Sequence, residues 1–340
     1  IGLFLQPMSA ANGWGREVFA FAIAVQNLVW GALQPFTGML ADRYGPGRTM
    51  AVGGAIYAIG LALTAYVETG TTLALTLGVL CGVGLSGTGF SVVLAAVSRV
   101  VSPAKRSHAL GVAGAVGSFG QFLMLPFIQT ALGAYGWSGA MLALGIALTL
   151  AVPLAFGVRN GTVAHAPGDT LTAREALAEA FAHSGYRLLV FGFFVCGFQV
   201  VFIGTHLPAF LVDRGLTPGN AATVLALIGL CNIAGSFFAG TLGAHFPKPY
   251  LLSAIYALRG IAMAAFVFLP VTEWSAYAFG MAMGFLWLST VPLTNGTVAS
   301  IFGIRNMTML TGVVFFSHQL GSFFGGWLGG AFYDRTGSYD

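Results

Sequence analysis

Apolar residues run along this chain for twenty positions at a time, without a polar residue at every third or fourth place to mark a wet face. A helix that is apolar all round is buried in a large core or in a bilayer, and ~20 residues is the length needed to cross hydrocarbon. Ten such segments are predicted, at about 17–39, 49–67, 71–97, 109–132, 138–158, 188–211, 220–243, 250–269, 274–299 and 307–332. Residues Ile1 to Pro7 read as the tail of one more helix. The one long polar stretch is 159–187, where Thr172-Ala173-Arg174-Glu175 has the pattern of a capping box and Leu177, Ala178 and Phe181 follow at helical spacing. It predicts a short amphipathic helix at the membrane surface, tethering an N-terminal bundle (1–158) to a C-terminal bundle (188–340).

Composition sharpens this to an all-α polytopic membrane protein. Charged residues are 7% and apolar residues 57%, against roughly 25% and 45–50% in soluble domains. The net charge of +4 matters less than its placement. Arg43, Arg48, Arg99, Lys105, Arg106, Arg159, Arg174, Arg187, Lys248 and Arg305 fall in loops on one side of the predicted helices. Arg16, Arg214 and Arg335 fall on the other, and Arg259 lies inside a segment. That asymmetry places the 39–48 loop in the cytoplasm. Basic residues spread over five loops form no nucleic-acid patch. Cys81, Cys196 and Cys231 sit in separate apolar segments without metal-ligand spacing and read as packing residues.

One loop carries a signature. Gly38-Met39-Leu40-Ala41-Asp42-Arg43-Tyr44-Gly45-Pro46-Gly47-Arg48 resembles the Gly-x-x-x-Asp-Arg-x-Gly-x-x-Arg motif of the major facilitator superfamily, where it joins the second and third membrane helices. The resemblance implies a gating motif of Gly38, Asp42, Arg43, Gly45 and Arg48. Gly38 would permit close helix approach, and Asp42 would face the positive N-terminus of a neighbouring helix near Asn306. Gly13 and Gly215, and Gly38 and Gly240, are both 202 residues apart, as expected of two copies of a multi-helix unit. The family's fold has two six-helix halves, so the chain is expected to be a fragment lacking most of helix 1 and helix 12. Gly13-Trp14 and Lys105-Arg106-Ser107-His108-Ala109-Leu110-Gly111-Val112-Ala113 are similar to the bacterial monocarboxylate and oxalate/formate branch. That branch often carries an Asp and an Arg one turn apart in helix eight, where this chain has Asn232 and Ser236.

The candidate binding residues are polar groups inside apolar segments. Arg259 is the only formal charge within a span, and at ~2.5–3.5 kcal/mol for insertion such a charge needs a role. Two readings stand: a fixed cation for an anionic substrate, or a donor to carbonyls of adjacent helices. His318, beside Gln319, carries an imidazole, the side-chain type suited to switching charge at physiological pH, and could bind substrate or a proton; His206, near a span's outer end, is a weaker candidate of the same kind. Gln26, Asn27, Gln34, Gln121, Gln199, Asn232 and Asn295 would each be costly against lipid and predict a polar interior path. Trp287 and Phe90 could shape it. No Asp or Glu lies within a span, so no carboxylate relay can be built from these segments. No nucleophile, metal cluster or selectivity filter is present to suggest an enzyme or a channel.

These features predict a secondary transporter working by alternating access, a monomer in the bacterial inner membrane without a cofactor. Its partners would be the bilayer, a small-molecule substrate such as a monocarboxylate, and a coupling proton or counter-anion. The alternatives are a carrier of another small solute or drug and a transporter-derived sensor.

Overall fold

A computed structural model describes residues 1–89, 92–93, 96–97, 103–158, 173–302 and 307–339. Every regular element among them is helical: α1 Leu5–Asn12, α2 Arg16–Tyr44, α3 Pro46–Thr64, α4 Gly70–Leu73, α5 Cys81–Thr88, α6 Pro103–Ala151, α7 Ala173–Ala182, α8 Ser184–Asp213, α9 Pro218–His245, α10 Lys248–Phe268, α11 Glu273–Leu286, α12 Thr290–Phe302 and α13 Met307–Thr336. A π-helical stretch, Ala74–Leu80, joins α4 to α5. Among the described residues, seven helical stretches are long and apolar enough to cross a membrane, against ten expected along the whole chain. The stretch Val116–Gly157 is 42 residues long and turns at Gly136 (φ 66°, ψ −176°), so it holds two of the expected segments. Helices α3 and α13 occupy expected positions but are diluted by glycine and by polar residues such as Arg48, His318 and Gln319.

Local chemistry places the helix ends. Thr217 caps α9 through a reciprocal pair with Asn220, with Pro218 in the first turn. Thr69 and Thr272 start α4 and α11 in the same way, with Thr72 and Ser275. Gly13 (φ 67°) and Gly215 (φ 88°) take the left-handed conformation just before α2 and α9. Helices α2 and α9 begin 202 residues apart, at Arg16 and Pro218, and so do α3 and α10, at Pro46 and Lys248. The duplicated landmarks are therefore duplicated turns.

Helix α7 forms where the polar stretch predicts a short helix. It buries Ala176 and Ala180, however, and leaves Ala178 and Phe181 exposed. The small alanines let it lie close to the bundle, while Phe181 packs edge-on against Tyr186 at 5.4 Å. Thr172 lies outside the described residues.

Helix α13 is the packing hub, lying against both α8 and α2. Glycines four residues apart create two flat seams on it. A Cβ at Gly321 would lie 2.0 Å from Phe194 O, and one at Gly325 2.2 Å from Phe198 O, both on α8. Gly330 instead faces Ala20 and Glu17 on α2, and Gly326 lies between Val201 of α8 and Ala20 of α2. Large apolar side chains such as Phe191, Tyr250 and Phe268 are left on the outside, where hydrocarbon is the solvent.

Other glycines differ in how closely a described neighbour approaches them. A Cβ at Gly31 would lie 2.6 Å from Gln319, yet one at Gly38, Gly240 or Gly312 would meet none of the described residues within 4 Å. Replacing Gly321 by Leu should therefore overpack the α8 seam and cost on the order of 1–3 kcal/mol, read as a lowered Tm in detergent. Gly312→Ala should leave Tm unchanged or raise it, by up to about 1 kcal/mol of helix propensity. Equal behaviour of the two variants would disprove the seam.

Candidate functional site

The interior is organised by a break between α11 and α12, at Trp287-Leu288-Ser289. Its cause is Pro292, whose ring clashes with the carbonyl four residues earlier and which has no N–H for the ladder. The break leaves the last carbonyls of α11 without intrahelical donors. Arg259 of α10 supplies them. Its Nε donates to Leu286 O at 3.1 Å and its Nη2 to Leu286 O at 2.5 Å and to Trp287 O. The guanidinium is fully buried and about 16 Å along its helix at 1.5 Å per residue. A cation at a helix C-terminus is also favoured by the macrodipole.

The other side of the break is held by Asn232 of α9. Its Oδ1 accepts from the backbone N–H of Leu288 at 2.9 Å, and its Nδ2 donates to Ser118 Oγ of α6 at 2.9 Å. Ser236 Oγ reaches the same Oδ1 at 3.3 Å. The two positions where the resembled branch has an acid and a base thus hold a neutral cap.

From Arg259 a polar chain crosses the bundle. Nη1 lies 3.2 Å from Cys196 Sγ, which also meets Thr290 Oγ1 at 3.4 Å. His318 of α13, sandwiched by Phe193 and Phe315 at 4.9 and 6.0 Å, bonds Gln319 Oε1 at 3.0 Å. Gln319 in turn donates to Asn27 O of α2 at 3.4 Å. Cys196 also hydrogen-bonds His318, so Arg259, His318, Gln319 and Asn27 are brought together.

The remaining candidates are placed separately. Gln26 donates to Leu77 O at 2.9 Å, within the π-helical stretch, where a widened turn offers a carbonyl to an outside donor. Asn27 turns its amide back to Ile23 O of its own helix. Gln121 is exposed and packs on Gly229 of α9, while Asn295 is half-buried on α12. Gln199 Oε1, Thr294 Oγ1 and Gln34 Nε2 are buried with no partner among the described residues. Such atoms ask for water or a ligand. Phe90 lies outside the described residues, and Trp287 is buried at the break.

In the gating motif, Gly45 turns the chain with φ 95° and Gly47 packs on Ala155 O, where a Cβ would come within 2.7 Å. Arg43 and Arg48 are exposed, with Arg43 5.3 Å from the Tyr44 ring. No described residue lies within 4 Å of a Cβ at Gly38. The Asp42 side chain and Asn306 lie outside the described residues.

The opposite face is closed by a network that sequence reasoning missed. Arg16 pairs with both carboxylate oxygens of Asp213 at 2.7 Å. Its guanidinium stacks on Tyr333 at 3.7 Å and donates to Tyr339 Oη at 3.2 Å. Asp334 of α13 caps the N-terminus of α2, accepting from the N–H groups of Arg16 and Glu17 at 2.9 and 2.8 Å. Trp327 Nε1 donates to Glu17 Oε1 at 2.8 Å. Burial pushes the Tyr339 hydroxyl up to about 12. These partners stand some 200 to 320 residues apart; the only sequence signal was charge kept at the ends of apolar segments.

The profile of the Major Facilitator Superfamily matches residues 1–326. The chain belongs to the major facilitator superfamily. It is 29% identical over 339 residues to monocarboxylate transporter 11 of Homo sapiens, covering 95% of this chain and 69% of that protein. It is 24% identical to the MFS-type transporter YcxA of Bacillus subtilis (strain 168), covering 99% and 84%. The fold matches a bacterial homolog of the human lysosomal transporter Spinster, in its inward-facing and occupied conformation, with a TM-score of 0.74 at 15% identity over 98% of this chain and 78% of that one. This is a multi-pass membrane transporter with the superfamily's fold.

In this facilitator the Arg259 cap is open to test by truncation. Arg259→Met should leave Leu286 O and Trp287 O unpaired, at about 1–3 kcal/mol for each, and lower Tm by several degrees. Arg259→Lys, with a single ammonium, should fall between that variant and wild type. A Tm for Arg259→Met equal to wild type would rule out the cap.

Proposed function

We propose that this protein is a secondary carrier of a small organic anion, a monocarboxylate above all, working by alternating access in the bacterial inner membrane. One observation carries the substrate charge. The Arg259 guanidinium is held by neutral carbonyls and a thiol, and no carboxylate faces it among the described residues. Its positive charge is therefore stabilised without being neutralised. At an effective dielectric of about 20, a unit charge ~8 Å away is worth ~2 kcal/mol to an anion, or about thirtyfold in affinity. The names of the monocarboxylate transporter relatives support the same class.

In this reading Arg259 acts through its field and by shaping the break, since its donors are committed to protein. His318, Gln199 and Asn295 are the side chains with polar atoms to offer the substrate, with Gln121 exposed on α6. Asn232, Gln26, Asn27 and Gln319 position the helices that carry them. The halves 1–158 and 188–340 rock about the α2–α13 and α6–α9 seams, with 159–187 as tether. The 42–48 face is cytoplasmic, and the Arg16 network closes the outer face. The gating motif would act in the converse state, when the cytoplasmic ends come together.

Uptake of labelled monocarboxylates into proteoliposomes, normalised to folded protein, tests the reading. Arg259→Lys should retain uptake within a few-fold, because it keeps the charge. Arg259→Gln should lose tenfold or more. Undiminished normalised uptake in Arg259→Gln would remove the anion argument. Substrate binding without flux in the wild type would favour a sensor.

A further inference from the structure

Behind the Arg16 network lies a titratable group that the transport reading does not use. His206 of α8 is 1% exposed. Its ring fills a notch in α13: a Cβ at Gly329 would lie 2.5 Å from the ring, and Nε2 meets Gly326 O at 2.7 Å. The other nitrogen, Nδ1, meets Tyr339 Oη at 3.1 Å. Gly326 O can only accept, so Nε2 carries the proton. Tyr339 Oη already accepts from Arg16 Nη1 at 3.2 Å and gives its single proton to Nδ1. The closed face thus selects a neutral imidazole. A surface cavity of about 170 Å³, lined in part by Asp213, Arg214, Tyr333 and Tyr339, reaches the phenol from outside.

We infer that His206 is a proton-binding site that couples protonation to opening of the outer face. The inference rests on the alternating-access reading. A proton delivered by water to Nδ1 makes an imidazolium whose new N–H points at the phenol oxygen. Tyr339 must then turn its own proton away, and Arg16 and the imidazolium face each other across one oxygen. The other ionisable groups around the ring do not relieve this. Asp213, on the same helix, is engaged by both Arg16 nitrogens. Asp334 of α13 caps α2, and Glu17 of α2 holds Trp327. Arg214 and Tyr333 bring no negative charge at neutral pH. The repulsion is relieved when α2 carries Arg16 away from α8 and α13, which is opening.

The test is the distance between spin labels at Glu68→Cys and Pro270→Cys, exposed loop positions of the two halves on this face, in proteoliposomes between pH 5 and 8. Acidification should raise the long-distance population several-fold in wild type, and His206→Gln should flatten that dependence. If His206→Gln does not fold, Tyr339→Phe keeps the imidazole and removes its link to Arg16, and should shift the midpoint of the pH profile by half a unit or more. A role in packing alone would move no midpoint. Wild-type distances that answer to substrate but not to pH would overturn the proton site and leave alternating access standing. Distances that answer to neither would overturn both.

Discussion

The guanidinium set against the broken end of α11 is the contact on which the interior depends. Hydrocarbon offers no partner to a free carbonyl, so non-helical backbone survives at membrane depth only where protein satisfies it. Pro292 enforces the break, and Arg259 makes it tolerable by taking the carbonyls of Leu286 and Trp287. Once α11 has stopped, the N–H of Leu288 is free to meet Asn232, and Asn232 reaches Ser118 on α6. A charge on a peripheral helix is thereby joined, through one discontinuity, to the seam between the halves. A continuous helix over 273–302 would offer Asn232 no backbone donor.

The bundle is held by two kinds of contact. Glycine seams give van der Waals contact over a flat surface with little directional preference, so they tolerate sliding. The closed face adds directional contacts: a bidentate Arg16–Asp213 pair, a stacked tyrosine and an aspartate capping a helix from the far end of the chain. An exposed ion pair is worth ~0–1 kcal/mol, and a part-buried pair with an aromatic face somewhat more. A sum of a few kcal/mol is enough to set which end is shut and small enough for substrate or a proton to reverse.

Much of this was legible in the sequence because membrane helices announce themselves by apolar length, and the duplicated turns by fixed spacing. Arg259 was legible as an anomaly for the same reason: a buried charge is too costly to be incidental. Its partner was not, because Phe285-Leu286-Trp287-Leu288 reads as uninterrupted helix unless Pro292 is weighed. The closed-face network was illegible in principle. Asp334 looks like a solvated residue at a helix end, and its identity as the cap of α2 depends on tertiary folding that brings residues 318 positions apart into contact.

The choice of carbonyls over a carboxylate as the partner of Arg259 bears on the transport cycle itself. A carboxylate would neutralise the guanidinium in every state and leave nothing for an incoming anion. Carbonyl dipoles stabilise the cation while its net charge persists, so an empty carrier keeps a positive interior and a loaded one becomes neutral. If the substrate is an anion, loading relieves the electrostatic cost of moving the site through hydrocarbon, and the empty carrier bears that cost alone. Asn232 and Ser236 preserve this asymmetry by being uncharged. An acid at either position would place a second titrating charge beside the break and tie return of the empty carrier to a proton in the interior. With those positions neutral, the imidazoles inside the described spans are His318 beside the site and His206 behind the closed face, while His183 and His245 lie at helix ends.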